Sequence, residues 1–151
     1  MKIILYQPQI PQNTGNIVRT CHATGAELIL VPPLGFQTDD KSLKRAGLDY
    51  WEGVSVSYLD NLMEFLENQT LPFYFFSSKG ETVYSDVHYP KDSLLIFGSE
   101  TTGLPIEFRE KWPEKFLTIP MRKNSRCLNL SNSVAIALYE ALRTQDFSNL
   151  L

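Results

Sequence analysis

Short apolar runs alternate with amphipathic stretches along this chain of 151 residues. Six runs predict strands, at residues 2–6, 27–31, 54–57, 73–77, 94–97 and 116–119. The runs at 73–77 and 94–97 are almost continuously apolar, which is typical of strands buried on both faces of a parallel sheet. We therefore expect a sheet with most of its strands in the interior.

The stretches between these runs follow the helical period. One helix is predicted from the segment around Asn13 to a stop at Gly25, with Ile17, Val18 and Cys21 on one face. Further helices are predicted at residues 39–46, 59–67, 105–111 and 131–143. Strands that alternate with helices predict an α/β fold whose mostly parallel sheet is flanked by helices. In such sheets ligands bind at the carboxyl ends of the strands.

The last predicted helix is apolar on two sides. Val134, Leu138 and Leu142 lie on one face, and Ile136 and Tyr139 lie on nearly the opposite face. A helix of this kind is buried on both sides. The sequence therefore predicts a homodimer through Ile136 and Tyr139, and a helix wholly inside one chain is the alternative. Its first turn has two candidate caps, at positions 129 and 131.

Composition narrows the class of protein. The length fits a single domain, residues 1–151, and no apolar run is long enough to cross a membrane. The two cysteines predict no disulfide framework, and the N-terminus has no signal peptide, so we expect a soluble cytoplasmic protein. The net charge of −3 argues against broad nucleic-acid binding. It still permits local basic patches at Lys41, Lys44 and Arg45 and at Arg122, Lys123 and Arg126, although solvated surface charge is the simpler explanation of a lone cluster.

Three loops of unusual composition follow predicted strands, at residues 77–80, 98–103 and 120–126. The Gly98-Ser99-Glu100-Thr101-Thr102-Gly103 loop lacks the lysine of a nucleotide-phosphate loop and the glycine spacing of a nucleophile elbow. His22 and His88 stand in no recognisable motif, and Cys21 lacks a second pair of zinc ligands, so no metal is expected.

Two charged residues remain open on spacing alone. Arg19 lies on the first helix beside a loop rich in amide side chains, where it would either face solvent or bind a phosphate or a developing oxyanion. Glu100 would either bond the backbone donors of its own loop or of the first turn of the helix that starts at Pro105, or orient a substrate or Arg19.

Taken together, three segments resemble the three motifs of the SPOUT class of RNA methyltransferases, in their order and over essentially the whole chain. These segments are residues 13–20, residues 97–105, and residues 119–121 with 125–135. In length the chain is most similar to the minimal tRNA wobble-nucleotide 2′-O-methyltransferases. The resemblance implies an α/β fold with a C-terminal deep trefoil knot, a homodimer, and S-adenosylmethionine bound in the knot.

The resemblance also implies roles for individual residues. Arg19 matches the motif arginine assigned to catalysis. The cofactor would be held by Phe76, Ser77, Gly98, Ile119, Met121, Cys127 and Leu128. The polar positions near the reacting groups and along the RNA path would be Asn13, Glu100, Arg122, Arg126, Asn129 and Ser131. The implied substrate is the anticodon stem-loop of tRNA, methylated on the ribose of a cytidine or uridine at the wobble position.

A ribose hydroxyl is a very weak acid, so we hypothesise that Arg19 stabilises the negative charge that develops on it. Two alternatives stay open at this point. One is an enzyme of the same class that acts on ribosomal RNA, and the other is a cofactor- and RNA-binding module without catalysis.

Overall fold

A seven-stranded sheet forms the centre of the computed structural model, which describes residues 1–37, 51–148 and 150. In chain order the strands are β1 (Lys2–Tyr6), β2 (Glu27–Val31), β3 (Val56–Tyr58), β4 (Phe73–Phe76), β5 (Thr82–Val83), β6 (Leu94–Phe97) and β7 (Phe116–Thr118). They lie side by side in the order β3-β2-β1-β6-β4-β7-β5, and each neighbouring pair is parallel. The predicted parallel sheet is therefore confirmed.

The central strands are buried on both faces, which explains their unbroken apolar sequence. Ile3, Ile4 and Leu5 of β1 have no exposed surface, and all four residues of β6 are buried. Ile4 lies between Ile29 of β2 and Ile96 of β6. A strand in this environment shows no polar alternation, since neither of its faces meets water.

Among the described residues, four α-helices cover the two faces: α1 (Pro11–Thr24), α2 (Leu62–Asn68), α3 (Ile106–Lys111) and α4 (Leu130–Arg143). Helices α1 and α4 share one core, to which Ile17, Val18, Val134 and Leu138 belong. The second core, on the opposite face, holds Leu62 and Leu66 of α2 and Phe108 of α3. The helices therefore form a layer on each side of the sheet.

Most predicted boundaries hold within a few residues, and the differences have local causes. Helix α1 begins earlier than predicted because Pro11 occupies its first turn, where a missing N–H costs nothing. It ends at Gly25, whose φ of 70° is the left-handed conformation that favours glycine. Strand β3 lies later than the predicted residues 54–57, and the predicted helix at 39–46 lies outside the described residues.

After its last strand in the sheet, the chain turns back toward β1. Strand β7 is separated from β1 by β4 and β6, yet α4, which follows it, packs against α1 beside β1. Residues 119–129 therefore run past the carboxyl ends of the central strands. Among the described residues, no helix is both long and apolar enough to cross a membrane.

Candidate functional site

A cavity of about 530 Å³ opens at the carboxyl ends of β4, β6 and β7. Its walls come from the three loops that follow these strands and from the start of α1. All seven residues predicted to hold a cofactor line it, namely Phe76, Ser77, Gly98, Ile119, Met121, Cys127 and Leu128. The size falls within the range of small-molecule sites, and the lining combines apolar side chains with a few polar ones, as such sites do.

The loop after β6 folds tightly back on itself. Ser99 and Gly103 exchange two backbone hydrogen bonds, with N···O distances of 3.2 and 2.9 Å. A Cβ placed on Gly98 would lie 2.3 Å from the carbonyl carbon of Gly103 and 2.5 Å from the amide nitrogen of Leu104. Since both atoms belong to the backbone, no side-chain movement would relieve the clash. Gly98 is thus needed to close the loop, a reason that does not depend on a bound ligand.

Glu100 fastens this loop to the segment between β1 and α1. Its Oε2 accepts the backbone N–H of Gln9 at 2.7 Å, and its Oε1 accepts the backbone N–H of Ile10 at 3.1 Å. Oε1 also accepts a hydrogen bond from Nδ2 of Asn13, again at 3.1 Å. Three donors on one carboxylate give Glu100 a clear structural function, since hydrogen bonds to a charged acceptor are among the stronger ones in proteins.

The hydrogen bonding continues from Asn13 into the third loop. Oδ1 of Asn13 accepts a hydrogen bond from Nδ2 of Asn129 at 2.8 Å. Oδ1 of Asn129 in turn accepts the backbone N–H of Ser131 at 2.9 Å and its hydroxyl at 2.6 Å. Asn129 is therefore the cap of α4, and Ser131 lies buried behind it. A single network, Glu100–Asn13–Asn129–Ser131, joins all of the predicted uncharged polar positions to Glu100.

The loop after β4 is held against β7. The backbone N–H of Ser77 donates to the carbonyl of Leu117 at 2.9 Å, and the N–H of Gly80 donates back to the carbonyl of Ser77 at 3.1 Å. The N–H of Lys79 donates to the hydroxyl of Ser77 at 3.2 Å. Lys79 is exposed and lines the cavity, and it is not among the site residues predicted from the sequence.

The predicted arginines lie around the cavity rather than in its walls. Arg19 is exposed on α1, six residues beyond Asn13 and so about 9 Å further along the helix. Arg122 and Arg126 are exposed on the loop that precedes α4. None of the three is among the residues that line the cavity. The other basic cluster, Lys41, Lys44 and Arg45, lies outside the described residues.

The two cysteines have opposite environments. Burial raises the pKa of the Cys21 thiol to about 12, so this side chain stays protonated and packs as an apolar group. Cys127 is exposed and lines the cavity. Across residues 1–37, 51–148 and 150, no three His, Cys, Asp or Glu side chains are grouped closely enough to hold a metal ion.

Helix α4 leaves one apolar side uncovered. Val134 and Leu138 are fully buried, whereas Ile136 is 37% exposed and Tyr139 is 46% exposed. The two-sided pattern read from the sequence is therefore present, with its second side on the surface of this chain.

Several residues that line the cavity were not predicted: Ile10, Ser78, Lys79, Phe97, Ser99, Thr101, Thr102, Gly103, Leu104, Leu130 and Ser133. Most of them are direct neighbours of predicted positions in the same three loops. Six of them, Ser78, Lys79, Ser99, Thr101, Thr102 and Gly103, lie in the loops at 77–80 and 98–103, which the sequence had already marked as whole loops.

In comparisons with known proteins, this chain is similar to RNA methyltransferases. Residues 1–139 match the profile of the SpoU rRNA Methylase family. A tRNA (cytidine(34)-2′-O)-methyltransferase of Aeromonas hydrophila is 47% identical over 154 residues, which cover 100% of this chain and 98% of that protein. A relative from Listeria monocytogenes, for which the same activity is named provisionally, is 56% identical over 153 residues, covering 99% of this chain and 90% of that protein.

Solved structures agree with these relatives. A structure described as giving insight into the 2-OH methylation of C/U34 on tRNA is 41% identical and superimposes with a TM-score of 0.88, covering 96% of this chain and 90% of that one. An AdoMet-bound rRNA methyltransferase from Sinorhizobium meliloti is 24% identical, with a TM-score of 0.82, and covers 94% of this chain and 55% of that one. At that identity the second likeness concerns the fold.

Proposed function

The chain belongs to the SpoU rRNA Methylase family, and from this premise we propose that it is a tRNA (cytidine(34)/uridine(34)-2′-O)-methyltransferase. It transfers a methyl group from S-adenosylmethionine to the ribose 2′-hydroxyl of the wobble nucleotide. The observation that carries the proposal is 47% identity over 98% of a relative with the cytidine(34) activity. The likeness to an rRNA methyltransferase is weaker, at 24% identity over 55% of that chain, so tRNA is favoured over ribosomal RNA.

The cavity fits the proposed cofactor in size and in the chemistry of its walls. S-Adenosylmethionine supplies, when bound, an electrophilic methyl group on a positively charged sulfur. Phe76 and Ser77 would hold it from one loop, Gly98 from the second, and Ile119, Met121, Cys127 and Leu128 from the third. An adenine ring suits such apolar walls, since flat aromatic groups bury well against them.

In the proposed mechanism the chain binds both reactants in line and stabilises charge on the ribose oxygen. The oxygen forms the new bond to carbon as the carbon–sulfur bond breaks, and the hydroxyl proton passes to phosphate or solvent. Arg19 stabilises the oxyanion as it develops, because a guanidinium remains protonated at neutral pH. The network from Glu100 to Ser131 holds the loops after β6 and β7 against the start of α1, and positioning of this kind lowers the barrier substantially.

We propose that the working unit is a homodimer that buries Ile136 and Tyr139 of α4. Arg19 is exposed and lies outside the walls of its own chain's cavity. We therefore propose that it acts at the cavity of the partner. Arg122 and Arg126 are proposed to contact the anticodon stem-loop. Residues 1–151 act as one cytoplasmic methyltransferase domain, and the return of residues 119–129 across the sheet is proposed to complete a trefoil knot.

The reaction is tested by incubating the protein with labelled S-adenosylmethionine and bulk tRNA, and then mapping the modified nucleotide. We expect label on the 2′-oxygen of nucleotide 34. Label in ribosomal RNA alone would reassign the substrate, and no label in any RNA fraction would leave a binding module without catalysis.

The role of Arg19 is tested with Arg19→Ala, for which we expect turnover to fall by a factor of about 100 or more. Arg109→Ala on α3 removes the same charge from the far side of the sheet and should keep normal turnover. Turnover close to that of the unaltered protein in folded Arg19→Ala would exclude the proposed role.

Use of Arg19 across the dimer is tested by co-expressing Arg19→Ala with a variant whose cavity is disabled, Gly98→Val. Each variant alone should be inactive. Mixed dimers should regain activity if Arg19 serves the partner's cavity, because one complete site then forms. If mixed dimers stay inactive, Arg19 serves its own chain.

A further inference from the structure

The distribution of charge in the cavity walls singles out Lys79. Of the described residues that line the cavity, only Lys79 and Glu100 carry a charge. Both oxygens of Glu100 are already engaged by Gln9, Ile10 and Asn13. Within the described residues, Lys79 forms no ion pair. The described walls of the cavity therefore offer one cation that is available to a ligand, the ammonium group of Lys79.

Contacts of its turn hold the backbone of Lys79 in place, so its ammonium group extends from an ordered part of the chain. The N–H of Gly80 closes a tight turn onto the carbonyl of Ser77, and Lys79 is a central residue of that turn. A Cβ on Gly80 would lie 2.5 Å from the carbonyl carbon of Leu117, so the turn is seated directly on β7. Only the flexible side chain remains to be ordered when a ligand binds.

On the proposed function, the ligand carries three charged groups: a sulfonium, an ammonium and a carboxylate. A lysine repels the first two and attracts the third. Lysine presents a compact point charge, which suits a single carboxylate at the mouth of a cavity. We propose that Lys79 binds the carboxylate of the methionyl group of S-adenosylmethionine.

The alternative ligand for Lys79 is a phosphate of the RNA backbone. Lys79 also borders a second cavity, between the edge strand β5 and α3. The other charged residues there are Glu81, Arg109, Glu110 and Glu114, so with Lys79 the walls carry three acids and two bases. A net negative surface disfavours an RNA backbone on that side. The charges around Lys79 thus favour the carboxylate of the small ligand.

The test compares two ligands that differ only in this carboxylate. Calorimetric binding of S-adenosylmethionine and of decarboxylated S-adenosylmethionine is measured without RNA, for the unaltered protein and for Lys79→Met. We expect the variant to bind S-adenosylmethionine about three- to tenfold more weakly, a small factor because the lysine is exposed. Binding of the decarboxylated ligand should be unchanged or slightly stronger, since an unfavourable cation has been removed.

Two further variants sharpen the comparison. Lys91→Met removes the same charge just before β6, at the opposite end of the sheet, and should leave both affinities unchanged. Lys79→Arg keeps the charge and should restore most of the preference for the carboxylate.

Each other outcome has its own meaning. Equal affinity of Lys79→Met and the unaltered protein for S-adenosylmethionine would overturn the assignment, and so would an equal loss for both ligands. If tRNA binding of Lys79→Met, measured separately, fell while binding of both small ligands stayed normal, Lys79 would be assigned to the RNA phosphate instead. If the unaltered protein bound neither ligand, the proposed cofactor itself would be wrong, and this inference would fall with it.

Discussion

Replacing Glu100 by glutamine tests whether this residue ties the site together or acts in the chemistry. The substitution keeps the shape of the side chain but turns one oxygen into an N–H₂ group. If the remaining oxygen stays with Ile10 and Asn13, the new amide faces the N–H of Gln9, and two donors then oppose each other where a 2.7 Å hydrogen bond existed.

The expected loss of folding free energy follows from the hydrogen bonds that the substitution changes. One charge-assisted hydrogen bond is lost, the other two lose their ionic character, and a partly buried donor is left without an acceptor. A hydrogen bond to a charged group contributes about 1.5–3 kcal/mol to stability. Because Glu100 is only half-buried, we expect a loss of about 2 kcal/mol, which lowers Tm by about 4–8 °C for a chain of this size.

The assay combines thermal unfolding with calorimetric binding of S-adenosylhomocysteine. Glu100→Gln should lower both the Tm and the affinity, because two loops that line the cavity lose their common anchor. Glu110→Gln, an exposed acid on α3, removes the same charge and should change stability by less than about 0.5 kcal/mol. Normal Tm and normal affinity combined with a collapse of turnover would refute the anchoring role and place Glu100 among the reacting groups.

Three further predictions concern the loop, the dimer and the thiols. Gly98→Ala should lower Tm by several degrees and weaken S-adenosylhomocysteine binding, because its Cβ would lie 2.3 Å from the backbone of Gly103. Calorimetry and thermal unfolding check this, and an unchanged Tm would contradict it. The double variant Ile136→Asp, Tyr139→Glu should sediment as a folded monomer, since both side chains are exposed in a single chain. If it still sediments as a dimer, this face of α4 is not the dimer interface. At pH 8 a thiol reagent should modify the exposed Cys127 rapidly but Cys21 only on unfolding, because burial raises the pKa of Cys21 to about 12. Mass spectrometry checks this, and rapid labelling of Cys21 would show that its helix opens.

The sequence predicted the parts of the fold that depend on burial. The central strands are continuous apolar runs because both of their faces are covered, so the unbroken apolar pattern located β4 and β6. The two-residue strand β5 was missed, since so short a segment has no period to detect. The three loops were found because parallel strands bring their carboxyl ends to one edge.

The hydrogen-bonded network was beyond sequence reasoning. The donors to Glu100 are 87 to 91 positions away in the chain, and nothing in its own loop indicates them. The structure also gives Gly98 a reason that the sequence did not indicate, because its own loop leaves no room for a side chain. Contacts between distant segments decide both points, and local patterns carry no record of them.

The hydrogen bond between Asn13 and Asn129 has a consequence for how the protein is made. It joins residues 116 positions apart, from the first helix to the start of the last one. During synthesis the first of these residues leaves the ribosome long before the second exists, and the closing of so long a loop carries a large entropic cost. A nascent chain that ends before α4 therefore has strands but no complete binding cavity. Affinity for the methyl donor arises only when almost the whole chain has been translated, so the cofactor can stabilise the finished protein but cannot guide its early folding.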